Sequence, residues 1–344
     1  MSQSQTFFRS FFDMNGTASR KRGWLVFGLC TFATLFILGI GAVSSDTQRW
    51  LLPLVGPIMA VQVVTVVQRL HDAGRSGYWS WLTLIPVLGL VASMGINLLR
   101  PAPGAFAAPG HRVAQGLGYG LLAAFAVLCV LRFFVGAFWI PSGSMKPTLL
   151  VGDYILVPFT DAADLQRGDV VVFRHTTKHF DFIKRLIGLP GDTVQMVGGQ
   201  VVLNGTPLPQ APLGAFTEPY DRQGPSHHLP RCQAPAPAKG GDCVKPMARE
   251  TLPDGRSYAV LDIEPNGFAD TTAIFTVPPG HLFFLGDNRD NSMDSRIAPA
   301  NGGLGFVPFE NVIGRVSRVV FSAAGESLGD VSTWRDGRNW RPVE

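Results

Sequence analysis

The sequence predicts a multi-span α-helical membrane region followed by a mainly antiparallel, barrel-like β domain with a loop-rich insertion. Three observations predict it. Charge is sparse, 16% of 344 residues, against roughly 25% in an average soluble domain, and its shortage is concentrated. Residues 23–140 carry eight charged side chains, whereas 141–344 carry 41. Within the poor half lie four uncharged stretches, and beyond residue 141 short β-branched runs alternate with turn signals. The apolar content excludes a disordered acidic or basic tail. The net charge of +4 is scattered rather than gathered on one run, so nucleic acid is not an expected partner.

Taken in order, residues 1–22 form a basic N-terminal segment containing Arg9, Arg20, Lys21 and Arg22. Residues 23–112 read as a membrane domain with about three apolar segments, at 23–45, 50–68 and 78–99. The first and third can each cross a hydrocarbon core, which takes ~20 residues at about 1.5 Å each. Trp24, Trp50, Trp79 and Trp81 stand at segment ends, where aromatic rings favour the interface. Residues 113–137 contain the last expected span, 113–131, and its exit. The basic residues ahead of the first stretch favour a cytoplasmic N-terminus. Four spans would then return residue 141 to the same side, so an outward-facing β domain requires an outward N-terminus or one stretch that does not cross. The segment 15–104, through Ser19-Arg20-Lys21-Arg22-Gly23-Trp24 and Arg69-Leu70-His71-Asp72-Ala73-Gly74-Arg75-Ser76-Gly77-Tyr78-Trp79, resembles a small bacterial inner-membrane family of unknown function. His71 and Asp72 read as a polar loop that caps helices rather than as a reactive pair.

Residues 138–344 read as the β domain. Strands are expected at 154–157, 169–173, 193–197, 200–203, 273–277, 282–285 and 312–321, with Gly198-Gly199 as a two-residue hairpin turn. No long helical period interrupts them, which suits an antiparallel barrel. Residues 205–256, with ten prolines from Pro207 to Pro253, are expected to be a loop-rich insertion. Cys30 and Cys129 lie in apolar stretches, where a thiol behaves as a small hydrophobe. Cys232 and Cys243, eleven residues apart in the insertion, suit either a disulfide in an oxidising compartment or two free thiols.

Three blocks carry chemistry. In Pro141-Ser142-Gly143-Ser144-Met145-Lys146-Pro147-Thr148-Leu149, two serines flank a glycine that lets the backbone turn sharply, so a hydroxyl and an amide can face one point. A nucleophile with an oxyanion hole needs that arrangement. In the block 181–192, Lys184 lies in an apolar, strand-like run. A lysine serves as a general base only when neutral, and burial against apolar groups favours the neutral amine. The third block, Gly286-Asp287-Asn288-Arg289-Asp290-Asn291-Ser292-Met293-Asp294-Ser295-Arg296, follows an apolar strand. It lacks the glycine and closing glutamate of an EF-hand calcium loop and reads as a hydrogen-bonded polar loop.

Together these blocks, with residues 168–173, 305–308 and 314–316, closely resemble the type I signal peptidase (leader peptidase) family of membrane-bound Ser/Lys proteases over about residues 138–322. The resemblance implies a serine endopeptidase that removes signal peptides from exported preproteins through an acyl-enzyme. Ser144 is the implied nucleophile and Lys184 the general base. Ser142 supplies a hydroxyl and Ser144 an amide to the oxyanion hole, while Ser292 orients Lys184. Asp287, Asn288 and Arg289 support that loop, and Asp294 and Arg296 form an ion pair within it. Phe138, Ile140, Pro141, Met145, Leu149, Ile155, Val172, Asp181, Phe182 and Ile183 line the substrate groove and its shallow pockets. Partners are a lipid bilayer and signal peptides with small residues before the cut. The implied location is a bacterial cytoplasmic (inner) membrane, multi-pass, with the catalytic domain on the outer (periplasmic) face, which favours Cys232–Cys243 as a bridge. No metal or organic cofactor is expected.

Other classes fit less well. A Ser/His/Asp hydrolase would need one of seven histidines; His175 and His179 lie nearest the second block, but no motif pairs them with Ser144. His227-His228 reads as a solvated loop pair. A self-cleaving Ser/Lys repressor lacks these apolar stretches, and a membrane scaffold would leave Ser144, Lys184 and Ser292 incidental.

Overall fold

The computed structural model describes residues 18–43, 45–84, 88–102, 127, 130–178, 180–326 and 330–343. Contacts divide the chain into two compact units, Met1–Phe134 and Val135–Glu344.

In the first unit, α1 is Arg20–Val43, α2 is Ser45–Asp72 and α3 is Leu88–Leu98. The expected stretches 23–45 and 50–68 fall in α1 and α2. Within 78–99 the described residues form a 3-10 helix, Gly77–Leu84, and the 11-residue α3, which alone, at about 1.5 Å per residue, is shorter than a bilayer crossing; residues 85–87 lie outside the described residues. Among the described residues one helical window, Leu54–Asp72, is long and apolar enough to cross a membrane. The expected span 113–131 lies outside the described residues apart from 127, 130 and 131, as do Cys129 and residues 1–17.

The polar block at the end of α2 ties the residues before α1 to those after α3. Arg69 is fully buried and donates to the carbonyls of Ala18 (3.0 Å) and Leu99 (2.8 Å), and it pairs with Asp72. The Asp72 carbonyl accepts from Ala102 N–H at 2.8 Å. Burying a guanidinium is costly unless it is paired, and the Ala18 and Leu99 carbonyls serve both Arg69 Nη atoms while its Nε has no partner among the described residues.

The second unit is mostly β. One sheet has the order β1-β2-β15-β16, from β1 (Val135–Trp139), β2 (Asp153–Pro158), β15 (Arg318–Ser322) and β16 (Arg341–Pro342). A five-stranded sheet has the order β13-β12-β4-β3-β14, from β3 (Val170–Arg174), β4 (Asp181–Gly188), β12 (His281–Leu285), β13 (Val307–Pro308) and β14 (Val312–Arg315). A third sheet joins β11 (Phe275–Thr276), β5 (Thr193–Val197), β6 (Gln200–Leu203) and β7 (Thr206–Pro207). Every named strand pair is antiparallel. Gly198 and Gly199, at φ of 58° and 81°, close the β5–β6 hairpin in the left-handed region that glycine tolerates. The expected run 312–321 is two strands, separated by Val316 and Ser317.

The insertion departs from its expected loop character. β8 (Gln210–Pro219), β9 (Asp242–Thr251) and β10 (Ser257–Leu261) form a three-stranded sheet with β9 in the centre. Proline density suggests loops because proline cannot donate to a ladder. Here Pro219 sits at a strand end, and the β8 register shifts between Pro212 and Gly214, so the ladder accommodates them.

Candidate active site

Ser144 lies in the turn between β1 and β2, directly after the strand that pairs with β2 from Val135 to Trp139. Below this turn, Ile140, Met145, Leu149, Ile155, Val157, Val170 and Val172 form one buried apolar cluster, with Phe138 and Ile183 packed against it. Met145 and Leu149 anchor the serine turn in this cluster.

Lys184 sits on β4, the middle strand of five, opposite Val171. It is 3% exposed, and its Nζ donates to Ser144 Oγ at 2.8 Å and to the Ile183 carbonyl at 3.1 Å. Its ammonium stands 5.3 Å from the centre of the Phe182 ring. Burial lowers its pKa from 10.5 to about 8, against the opposing pull of Asp294 and Asp287 and with help from Arg296. A measurable fraction is therefore neutral near physiological pH. Ser142 Oγ is 3.4 Å from Ser144 Oγ. Among the described residues no hydrogen bond uses the Ser144 amide.

The polar loop backs the pair. Asn288 N–H donates to the Ser144 carbonyl at 3.1 Å, and Asn288 Nδ2 to the Gly143 carbonyl at 2.9 Å, fixing the serine turn. Asp294 pairs with Arg296 through Nε and Nη2, each at 2.8 Å, and accepts from Gly286 N–H. Burial alone would raise the Asp294 pKa; the Arg296 guanidinium overrides it and holds the carboxyl below its ordinary range. Asp287 accepts from Arg185 at 2.8 and 2.7 Å and from Thr148 Oγ1 at 2.5 Å. Arg289 forks onto Glu250, a third buried pair. Ser292 is buried beside Asp294, but its hydroxyl makes no bond of ordinary geometry and none to Lys184. The Lys184 orientation expected from Ser292 is therefore not formed; Ser144 and the Ile183 carbonyl orient the amine instead. A side chain at Gly286 would lie 2.2 Å from Ser292 Oγ and 2.7 Å from the Ser144 carbonyl, so only glycine lets this loop approach the serine turn.

The groove residues divide. Ile140, Met145, Leu149, Ile155 and Val172 are core, none more than 3% exposed. Pro141 is exposed, whereas Phe182 packs with a different apolar cluster around Phe173 and Phe284. Asp181, at the start of β4, is 3.9 Å from Arg174. β12 pairs with β4 from Arg185 onward, so Phe182 and Ile183 lie beyond that ladder.

Five contacts were hidden from the sequence. Gly143 N–H donates to His228 Nε2 at 3.3 Å, and Ser226 Oγ donates to the Pro141 carbonyl at 2.8 Å. Buried Lys146 pairs with Glu218, which also pairs with Lys245, and donates to Gln223 at 2.8 Å. The insertion thus grips the serine turn from residues 72 to 85 positions away, a separation no local motif encodes. Cys232 and Cys243 are bonded, joining the two arms of this insertion. His179 lies outside the described residues, and His227 pairs with Glu326 at 2.9 Å.

A serine hydroxyl bonded to the amine of a buried lysine, on a β scaffold with a free amide beside it, is the constellation of a serine–lysine hydrolase. The chain belongs to the signal peptidase, peptidase S26 family, whose model matches residues 115–321, and it is a peptidase. It is similar to signal peptidase I of Rickettsia typhi, 35% identical over 215 residues that cover 54% of this chain and 71% of that one. Signal peptidase I of Pseudomonas aeruginosa is 36% identical over 226 residues, 58% of this chain and 69% of the relative. A solved signal peptidase I from Enterococcus faecalis is 27% identical and covers 44% of this chain and 96% of its own, with a TM-score of 0.23. Residues 11–107 match a second family, a protein of unknown function, DUF805.

Proposed function

We propose that this chain is a membrane-bound serine endopeptidase that removes signal peptides from exported preproteins, with Ser144 as nucleophile and Lys184 as general base. The observation that carries the assignment of roles is the 2.8 Å bond from a buried Lys184 amine to Ser144 Oγ. Neutral Lys184 takes the hydroxyl proton as Ser144 Oγ attacks the scissile carbonyl. The Ser144 amide and Ser142 hydroxyl face the developing oxyanion. The lysine ammonium returns the proton to the leaving amine, leaving an ester on Ser144. Lys184 then deprotonates a water, which attacks the ester and frees the serine. No step in this sequence requires a metal or organic cofactor.

The extended substrate adds as a strand alongside residues 138–142 and 181–183. The β1 edge of its sheet and the Phe182–Ile183 stretch beyond the β12 ladder support that reading. The reading places signal peptides with small residues before the cut in this groove. Residues 1–22, 23–112 and 113–137 serve as basic segment, membrane domain and last span ahead of a catalytic domain at 138–344. The chain resides in a bacterial inner membrane as a multi-pass protein with the catalytic domain on the outer face. The Leu54–Asp72 window and the Cys232–Cys243 bridge support this placement.

The test is preprotein processing by the full chain in detergent or lipid. Ser144→Ala and Lys184→Met are expected to abolish cleavage; either variant cleaving at the wild-type rate overturns the assignment.

A further inference from the structure

Away from the serine–lysine pair, three carboxylates from two loops converge. Asp262 directly follows β10 and Asp270 lies eight positions later in the loop that leads toward β11; Asp290 belongs to the 3-10 turn Arg289–Asn291 of the polar loop. Each offers one carboxylate oxygen, and these oxygens lie within 4.8 Å of one another. Asp270 and Asp290 are 2% and 1% exposed.

The two buried carboxylates are half used. Asp290 Oδ2 accepts from Ile263 and Glu264 N–H at 2.7 and 2.9 Å, and Asp270 Oδ2 accepts from Gly267 N–H at 2.6 Å. Oδ1 of Asp262, Asp270 and Asp290 is buried and has no hydrogen-bond partner among the described residues. The neighbouring cations are committed elsewhere. Arg289 bonds Glu250 and the Gly286 carbonyl, while Arg296 bonds Asp294 and the Arg289 and Ala269 carbonyls. Arg231 donates to the Asp290 carbonyl and to Glu264. The backbone closes over the orphan oxygens. A Cβ at Gly267 would lie 2.2 Å from Asp290 Oδ1 and 3.4 Å from Asp270 Oδ1.

We propose that Asp262, Asp270 and Asp290 form a structural calcium site that ties the 262–270 loop to the polar loop. Buried, unpartnered carboxylate oxygens within 4.8 Å of one another are costly unless a cation neutralises them. An all-oxygen donor set selects a hard ion. Calcium binds oxygens at about 2.3–2.6 Å, so two ligands on one ion can lie roughly 4.8 Å apart; magnesium at about 2.0–2.1 Å demands a tighter cage. The site has no EF-hand spacing, because the loop 286–296 supplies only Asp290. It departs from the sequence expectation of no metal, and it leaves the serine–lysine chemistry untouched.

The test is calcium titrated into the full chain in detergent, after chelator treatment, followed by calorimetry and thermal unfolding. Saturable binding of one calcium per chain, with an unfolding midpoint that rises with calcium, is expected. Asp262→Asn, at the least buried of the three, is expected to weaken binding about tenfold or more, because ligand charge count sets affinity. An unfolding midpoint identical in calcium and chelator, with no saturable heat, overturns the site in favour of a proton shared between two carboxyls. Wild-type calcium affinity in both Asp262→Asn and Asp270→Asn overturns it equally.

Discussion

Replacing Lys184 with methionine is expected to remove activity and at the same time stabilise the protein at neutral pH. Met retains the length of the side chain and fills the same buried channel. The lysine's folded pKa is about 8 against 10.5 when unfolded, so the fold disfavours its ammonium. At ~1.4 kcal/mol per pH unit that gap costs about 3 kcal/mol. Below pH 8 the group is charged in both states and the full cost applies. Between 8 and 10.5 the folded lysine is neutral while the unfolded one is still protonated, so wild-type stability from this group rises with pH and the cost vanishes. The bonds to Ser144 and to the Ile183 carbonyl are both lost in the variant, together about 2 kcal/mol, which leaves a net gain of roughly 1 kcal/mol. For a unit of this size that is a rise in unfolding midpoint of about 2–4 °C. The assay is thermal unfolding of the full chain in detergent, followed by the β-sheet circular dichroism signal at pH 7 and pH 10. The gain should appear at pH 7 and shrink at pH 10. A variant less stable than wild type at pH 7, or a gain equal at both pH values, would refute the reasoning.

Three other substitutions test the scaffold. Gly286→Ala places a methyl 2.7 Å from the Ser144 carbonyl and 2.5 Å from Ser292 Cβ. It should cost about 1–3 kcal/mol in denaturant unfolding and depress kcat, since the serine turn is what must shift. Arg185→Met leaves the Asp287 carboxylate buried without its bidentate partner, and a loss of about 3–5 kcal/mol is expected; a loss under 1 kcal/mol would show that Thr148 alone suffices. Cys232→Ser opens a bridge of separation 11 and should lower stability by about 3 kcal/mol on chain-entropy grounds, measured against wild type with and without reductant.

Much of the site was legible because its parts are local. Ser144 stands in a turn whose Pro-Ser-Gly-Ser sequence is itself the geometry, and Lys184 lies in a run whose apolar neighbours bury it. The 193–197 and 200–203 strands were legible to the residue, because alternation and the Gly198-Gly199 turn act over a few positions. Contacts between distant segments were not. The 2.8 Å approach of Lys184 to Ser144 depends on β4 occupying the centre of its sheet. The Lys146–Glu218–Lys245 pairing and the His228 contact come from a hairpin sheet whose prolines disguised its strands. Ser292 lies in the loop as expected, but its hydroxyl has no hydrogen-bond partner among the described residues, a detail of side-chain orientation that no motif encodes.

The most direct test of the serine–lysine assignment is the pH dependence of kcat/KM for preprotein cleavage by the full chain. With Lys184 acting as a neutral base of pKa about 8, the rate constant should rise about tenfold per pH unit below that value and level off above it. A profile that is flat from pH 6 to pH 9 would contradict a titrating lysine at the centre of the mechanism.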